Sequence, residues 1–122
     1  HAGLPLVQHP LLLMLHYHKE GKISLEKIVQ KMSHSVADIY RIRDRGYIRE
    51  GYWADLVIAD LNKSTVVSAD NIAYKCRWSP LEGFSFPAAI THTFVNGTLV
   101  YENYGNVRWN ESHKGMRLAF DR

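Results

Sequence analysis

The chain has 122 residues, 46% of them hydrophobic, which is enough to form one core of ordinary domain size. The charged and aromatic fractions, 22% and 11%, are typical of a folded protein and exclude general disorder. The net charge of +3 comes from basic residues interleaved with acidic ones, a pattern that argues against a nucleic-acid partner.

The lengths of the apolar runs and the cysteine content indicate the cellular compartment of the protein. The longest apolar run, from Leu11 to Leu15, is far shorter than the roughly 20 residues that span a bilayer. No basic segment followed by an apolar one forms a secretory leader, and the single Cys76 cannot make an internal disulfide. We therefore expect a cytoplasmic protein with no membrane partner.

Three helices are predicted in the first 45 residues. Apolar residues recur at helical spacing over 7–19, and the glycine that follows stops this helix. A second amphipathic helix is predicted over 24–33, with Ser24 as its N-cap. Ser33-His34-Ser35 is predicted to break the chain, with His34 as an inter-helix cap, before a third helix over 36–43.

From Gly46 onward the apolar period changes from 3.6 to two, which predicts strands. The predicted strands cover residues 47–49, 54–60, 65–68, 90–95 and 98–101. The segment 54–60 is apolar on both faces at its centre, so we expect it to lie inside a sheet. Asn96-Gly97 is the dipeptide that best forms a type I′ hairpin. Residues 105–122 read as a polar tail, and helices followed by strands predict an α+β fold.

The residues that could carry chemistry do not assemble into an active site. His16-Tyr17-His18 has the His-x-His form of metallohydrolases, but two such residues point about 200° apart on a helix. We therefore predict no metal ligand and no catalytic residue in this chain. Cys76 is expected to be a half-buried structural thiol.

Two segments resemble a signature of the amidohydrolase superfamily, at the point where its members re-enter a small β-sandwich after a metal-binding (β/α)8 barrel. The first is Gly46-x-Ile48-x-x-Gly51-x-x-Ala54-Asp55-Leu56-Val57, and the second is Val95-Asn96-Gly97-x-x-Val100-Tyr101. In that superfamily the aspartate at the position of Asp55 is usually structural.

Three further segments resemble dihydroorotases in particular. They are Gly3-Leu4-Pro5-Leu6-Val7-Gln8-His9, Tyr74-Lys75-Cys76-x-Trp78-Ser79-Pro80-x-Glu82-Gly83 and Gly115-x-Arg117-Leu118-x-Phe120-Asp121-Arg122. The resemblance extends over essentially the whole chain but only the last third of such an enzyme. Two departures stand out: Ser33-His34-Ser35-Val36-Ala37 replaces Cys-His-Asn-Pro-Ala, and Arg77 stands where glycine is usual.

The resemblance implies a fold: the last helices of an amidohydrolase (β/α)8 barrel in residues 1–45, then C-terminal strands of the composite β-sandwich, the hairpin and the tail in 46–122. It also implies a function in pyrimidine biosynthesis. Dihydroorotases are zinc enzymes that interconvert N-carbamoyl-aspartate and dihydroorotate, and their metal ligands precede this segment. Backbone groups of Gly3, Leu4 and Pro5 would then bind the pyrimidine precursor.

Other interpretations remain open. The chain could belong to a dihydropyrimidinase or hydantoinase, to a non-catalytic relative of these, or be a stand-alone α+β interaction domain. We also expect the isolated chain to self-associate, because apolar helix residues would lack the barrel strands that cover them. The residues in question are Leu11, Leu12, Leu15, Leu25, Ile28, Val29 and Met32.

Overall fold

The computed structural model describes residues 3–121, which divide into two compact units. The first unit joins 3–24 to 60–89, and the second joins 25–59 to 90–121. The elements in chain order are α1 (Pro10–Lys19), α2 (Leu25–Val29), α3 (Ser35–Tyr40), β1 (Leu56–Asp60), β2 (Thr65–Val66), β3 (Ser85–Phe86), β4 (Ala89–Val95), β5 (Thr98–Asn103) and β6 (Val107–Trp109). Helices precede strands, as predicted, and the fold is a mixture of the two.

In the first unit, helix α1 begins at Pro10 rather than at the predicted residue 7. Proline has the φ angle of the first helical turn and needs no hydrogen-bond partner for its nitrogen, so it suits this position. Leu12 and Leu15 are buried one turn apart. The helix ends at Lys19, and Gly21 follows with a φ angle of 72°, as the glycine stop predicted.

The strands of the first unit are shorter than the sequence suggests. β2 and β3 form a two-stranded antiparallel sheet in which Thr65 pairs with Phe86. Strand β2 covers two residues of the predicted 65–68, and β3 lies in a segment for which no strand is predicted. Phe86 has no solvent-exposed surface, and Val67 and Ala88 are almost as deeply buried, so these short strands hold the core of the unit.

In the second unit, the predicted break at Ser33-His34-Ser35 is wrong. A π-turn over Gln30–His34 joins α2 to α3, so the chain stays helical from residue 25 to residue 40. The π-turn accommodates one extra residue through wider hydrogen bonds. The predicted third helix over 36–43 ends early, because Arg41 adopts a left-handed conformation with a φ angle of 52°. The π-turn also excludes the predicted capping role of His34, whose side chain makes no cap hydrogen bond and stacks on Tyr47 instead.

Gly46 is required where the chain leaves this helix. Its φ angle is 82°, and a Cβ atom there would overlap the Cβ of Ala37 and lie 3.1 Å from the carbonyl oxygen of Ser33. Only glycine permits both the backbone conformation and the close approach. The strand predicted over 47–49 does not form, and Ile48 is exposed.

The second unit contains the predicted hairpin. Strands β4 and β5 are antiparallel, Val95 pairs with Thr98, and Asn96 and Gly97 have φ angles of 50° and 82°, as a type I′ turn requires. The sheet order is β1-β4-β5-β6, and β6 forms within the predicted polar tail. The prediction that 54–60 lies inside a sheet is wrong: β1 covers 56–60 and forms an edge, with Val57 and Ile58 about half exposed.

The seven apolar helix residues expected to lack partners behave differently from one another. Leu12, Leu15 and Ile28 are buried within the chain, which contradicts the expectation for these three. Leu11 is half-buried, whereas Leu25, Val29 and Met32 are exposed. Within residues 3–121, no helix combines the length and the apolar character needed to cross a membrane.

Candidate functional site

The segment predicted to contact substrate, Gly3-Leu4-Pro5, is a loop at the start of the first unit. The N–H of Leu6 donates to the carbonyl of Leu4 at 3.0 Å, which folds the loop into a tight turn. Gly3 has a φ angle of 96°, and in the described part of the chain no atom beyond its chain neighbours lies within 4 Å of the position of its missing Cβ. Because proline has no N–H, only Gly3 and Leu4 can donate a backbone hydrogen bond from this loop.

Gln8 attaches this loop to a distant part of the same unit. Its Nε2 donates to the carbonyl oxygen of Asn71 at 2.7 Å, and its Oε1 accepts from the N–H of Ala73 at 2.8 Å. The side-chain amide therefore pairs with the backbone in both directions. The sequence gives no signal for this contact, because 63 residues separate Gln8 from Asn71.

The turn that receives Gln8 is itself well ordered by hydrogen bonds. Residues Ala69–Asn71 form a 3-10 turn with a capping box, in which the Asn71 side chain accepts from the N–H of Ser68 at 3.0 Å. The same side chain donates to the carbonyl of Val66 at 2.7 Å. Asn71 thus connects the turn to strand β2, and Gln8 connects the loop to the turn.

His9 follows Gln8 and is one of the most deeply buried residues in the first unit, with 2% of its surface exposed. Its ring stacks on Phe86 and meets Tyr74 edge-on, with centroid distances of 6.1 and 6.4 Å. Burial lowers the pKa of the imidazole, because the charged form would lose its hydration. Among the described residues, neither Nδ1 of His9 nor the hydroxyl of Tyr74 has a hydrogen-bond partner, although both atoms are buried, so the neutral ring is the form that this core favours.

In the second unit, polar groups join the segment 45–55 to the hairpin. Arg45 donates to Oδ2 of Asp55 and, at 2.7 Å, to the side-chain oxygen of Asn96. The other oxygen of Asp55 accepts from the N–H of Asn96 at 2.8 Å, and the guanidinium of Arg45 lies over the ring of Trp53. The aspartate of the signature thus has structural partners, and sequence reasoning missed Arg45 as one of them.

The histidine pair singled out in the sequence does not form a metal site. His16 contacts Glu20 at 3.4 Å, one helical turn away, and Nδ1 of His18 lies 2.9 Å from the carbonyl oxygen of Ile23. Among the residues that the structure describes, no group of three or more His, Cys, Asp or Glu could hold a metal ion. These residues therefore do not fit the zinc that the resemblance implies. That its ligands belong to another part of the enzyme stays a prediction.

Cys76 is exposed, not half-buried as predicted. It lies in the loop between Tyr74 and Ser79, where Arg77 adopts a φ angle of 53°. The departure from glycine noted in the sequence therefore falls on a backbone conformation that glycine adopts without strain.

Comparison with known proteins identifies the relatives of this chain. The model of the amidohydrolase family matches residues 15–101. The dihydroorotase of Pyrococcus horikoshii is 34% identical over 102 residues, which are 84% of this chain and 24% of that protein. An allantoinase of Desulfitobacterium hafniense is 33% identical over 91 residues, 75% of this chain and 20% of that protein.

A solved structure resembles the fold as well as the sequence. The L-hydantoinase (dihydropyrimidinase) from Arthrobacter aurescens superimposes with a TM-score of 0.72 at 32% identity, over 87% of this chain and 24% of that one. The chain thus spans about a quarter of the length of the relatives it matches. The resemblance inferred from the motifs is confirmed, and the chain belongs to the amidohydrolase family.

Proposed function

We propose that the whole protein is a cyclic amide hydrolase that interconverts dihydroorotate and N-carbamoyl-aspartate. The observation that carries this proposal is the set of relatives: a dihydroorotase, an allantoinase and a hydantoinase, each at 32–34% identity over three quarters or more of the chain. The dihydroorotase-like segments at 3–9, 74–83 and 115–122 favour dihydroorotate over the other cyclic amides.

The role proposed for this chain is to complete the barrel and the sandwich and to form one wall of the substrate site. At this wall, the N–H groups of Gly3 and Leu4 and nearby carbonyls would hydrogen-bond polar atoms of the substrate's pyrimidine ring that lie outside the amide bond to be hydrolysed. Such contacts orient the ring without taking part in bond breaking. Zinc, held by ligands elsewhere in the whole protein, would supply the activated water.

The experiment is expression of the whole coding sequence that contains this chain, followed by assays with dihydroorotate, allantoin and a 5-substituted hydantoin. We expect chelator-sensitive turnover that is fastest with dihydroorotate. The 122-residue chain with added zinc serves as the control and should show no turnover above buffer. Preference for allantoin or the hydantoin would overturn the substrate assignment, and turnover by the chain alone would overturn its proposed role.

We further propose that the isolated chain self-associates. Four apolar residues are exposed along the helix of the second unit, on both sides of the π-turn: Leu25, Val29, Met32 and Val36. Exposed apolar side chains concentrated on one element are typical of a contact surface. Light scattering at micromolar concentration should detect dimers or larger species. A clean monomer that binds no hydrophobic dye would favour the stand-alone interaction domain instead.

A further inference from the structure

We propose that Gln8 is a positioning residue that sets the affinity of the wall loop Gly3-Leu4-Pro5 for substrate. This inference rests on the proposed function. It adds a residue for which neither the motifs nor the family comparison suggests a role. The loop itself offers backbone atoms, whose positions depend on whatever holds the loop in place.

The hydrogen bonds of Gln8 require a side-chain amide. The carbonyl of Asn71 can only accept and the N–H of Ala73 can only donate. Glutamine satisfies both at once, whereas glutamate would place a carboxylate oxygen against the carbonyl of Asn71. Methionine would fill a similar volume and make neither hydrogen bond.

The turn that Gln8 binds, Ala69–Asn71, is held in place by its own hydrogen bonds. The capping box of Ala69–Asn71 and the bond from Asn71 to Val66 fix the turn to strand β2. Gln8 therefore holds the loop against a fixed part of the unit. The next residue, His9, is buried against Phe86, so the chain is anchored at two consecutive positions shortly after the loop.

Between this anchor and the predicted contact atoms lie only Leu6 and Val7. The N–H of His9 donates to the carbonyl of Leu6 at 3.0 Å, and the N–H of Leu6 donates to that of Leu4. Two tight turns thus connect Gln8 to the loop and leave the loop little freedom to move independently of it. A shift at Gln8 is transmitted to Leu4 and Gly3, which would bind the substrate ring but not its reacting atoms.

This placement predicts a specific kinetic change in the whole enzyme. In the Gln8→Glu variant, KM for dihydroorotate should rise about five- to tenfold, the effect expected from one or two weakened hydrogen bonds, while kcat stays within about twofold. Gln8→Met should raise KM similarly without adding charge, so it tests the same idea if the glutamate variant folds poorly. Gln30→Glu is the matched control, because Gln30 is an exposed glutamine on the other unit that accepts from Lys27 at 2.9 Å.

The outcomes separate this inference from the function on which it rests. A wild-type enzyme that does not turn over dihydroorotate overturns both. An active wild type whose KM is unchanged in Gln8→Glu and Gln8→Met overturns the positioning role alone. A loss confined to kcat also overturns it, since the loop would then act on the reacting atoms. A rise in KM equal to that of Gln30→Glu would reveal a general effect of charge and would likewise contradict the proposal.

Discussion

The first unit buries aromatic and aliphatic side chains around Phe86, whereas the second unit holds its sheet to the preceding loop through Arg45, Asp55 and Asn96. In the first unit, Phe86, Val67 and Ala88 are almost fully buried, and burial lowers the pKa of His9 so that its neutral form is favoured. In the second unit, a buried arginine is the centre of a hydrogen-bonded junction.

This difference determines which substitutions should destabilise each unit. Loss of a buried apolar group costs the transfer free energy of that group and leaves a cavity. Loss of one partner from a buried ion pair leaves a charge without compensation. Substitutions at Phe86 and Asp55 test this contrast directly, and each has a control in which the same chemical change is made at a more exposed position.

The largest decrease in the free energy of unfolding is expected for Phe86→Ala. The side chain is fully buried, so its removal should lower the free energy of unfolding by about 3–5 kcal/mol. Phe120→Ala is the control, because Phe120 is about half exposed and its strand contact uses the backbone. Urea denaturation followed by tryptophan fluorescence measures both. Equal losses in the two variants would show that the first unit does not depend on an apolar core.

The second largest decrease in the free energy of unfolding is expected at the hydrogen-bonded junction of Arg45, Asp55 and Asn96. Among the described residues, Asp55→Ala leaves Arg45 with Asn96 as its polar partner, and the Arg45 side chain is 10% exposed. Because Asp55 itself is partly exposed, we expect a loss of about 2–4 kcal/mol, somewhat below the full cost of a broken buried pair. Asp121→Ala provides the comparison: its pair with Arg43, at 3.4 Å, is exposed on both sides and should contribute less than about 1 kcal/mol. If Asp55→Ala lowers the free energy of unfolding no more than Asp121→Ala does, a structural role for Asp55 is contradicted.

The third effect is a pH dependence from His9. Burial lowers its pKa below the ordinary value of 6.5 in the folded state. As the pH falls through 6.5, the unfolded chain gains a proton that the folded chain does not. The free energy of unfolding should therefore decrease with falling pH until the folded-state pKa is reached, and then level off. In the His9→Gln variant, this part of the pH dependence of the free energy of unfolding should be absent. An identical slope in wild type and variant would disprove the assignment.

The smallest effect is expected at Arg77. Its positive φ angle of 53° is unfavourable for a residue with a Cβ atom. Arg77→Gly should raise the free energy of unfolding by about 0.5–1 kcal/mol. Arg77→Ala removes the same charge but keeps the strained conformation, so it should give no such gain. A similar gain in both variants would attribute the effect to the arginine side chain rather than to the backbone.

Sequence patterns predicted best the features that depend on neighbouring residues. The Asn96-Gly97 hairpin and the glycine stop after α1 both form as expected, because turn geometry is set by local φ angles. The break at Ser33-His34-Ser35 was predicted wrongly, since packing of Ile28 and Ala37 keeps both sides of the π-turn in one helix. Strand β6 was missed because its three residues are too few to show an alternating pattern and gain strand structure only by pairing with β5.

For the candidate site, the sequence alone determined the motifs and the family resemblance, since both depend on residue identity. The need for glycine at position 46 became visible only in the fold, where this position approaches Ala37 and Ser33 closely. Only the tertiary structure revealed that Gln8 binds the turn at Asn71 and that Arg45 reaches Asn96, 63 and 51 residues away along the chain. Long-range hydrogen bonds leave no periodic signal, because a single polar side chain suffices to make them. Their partners emerge only when folding brings distant backbone segments together.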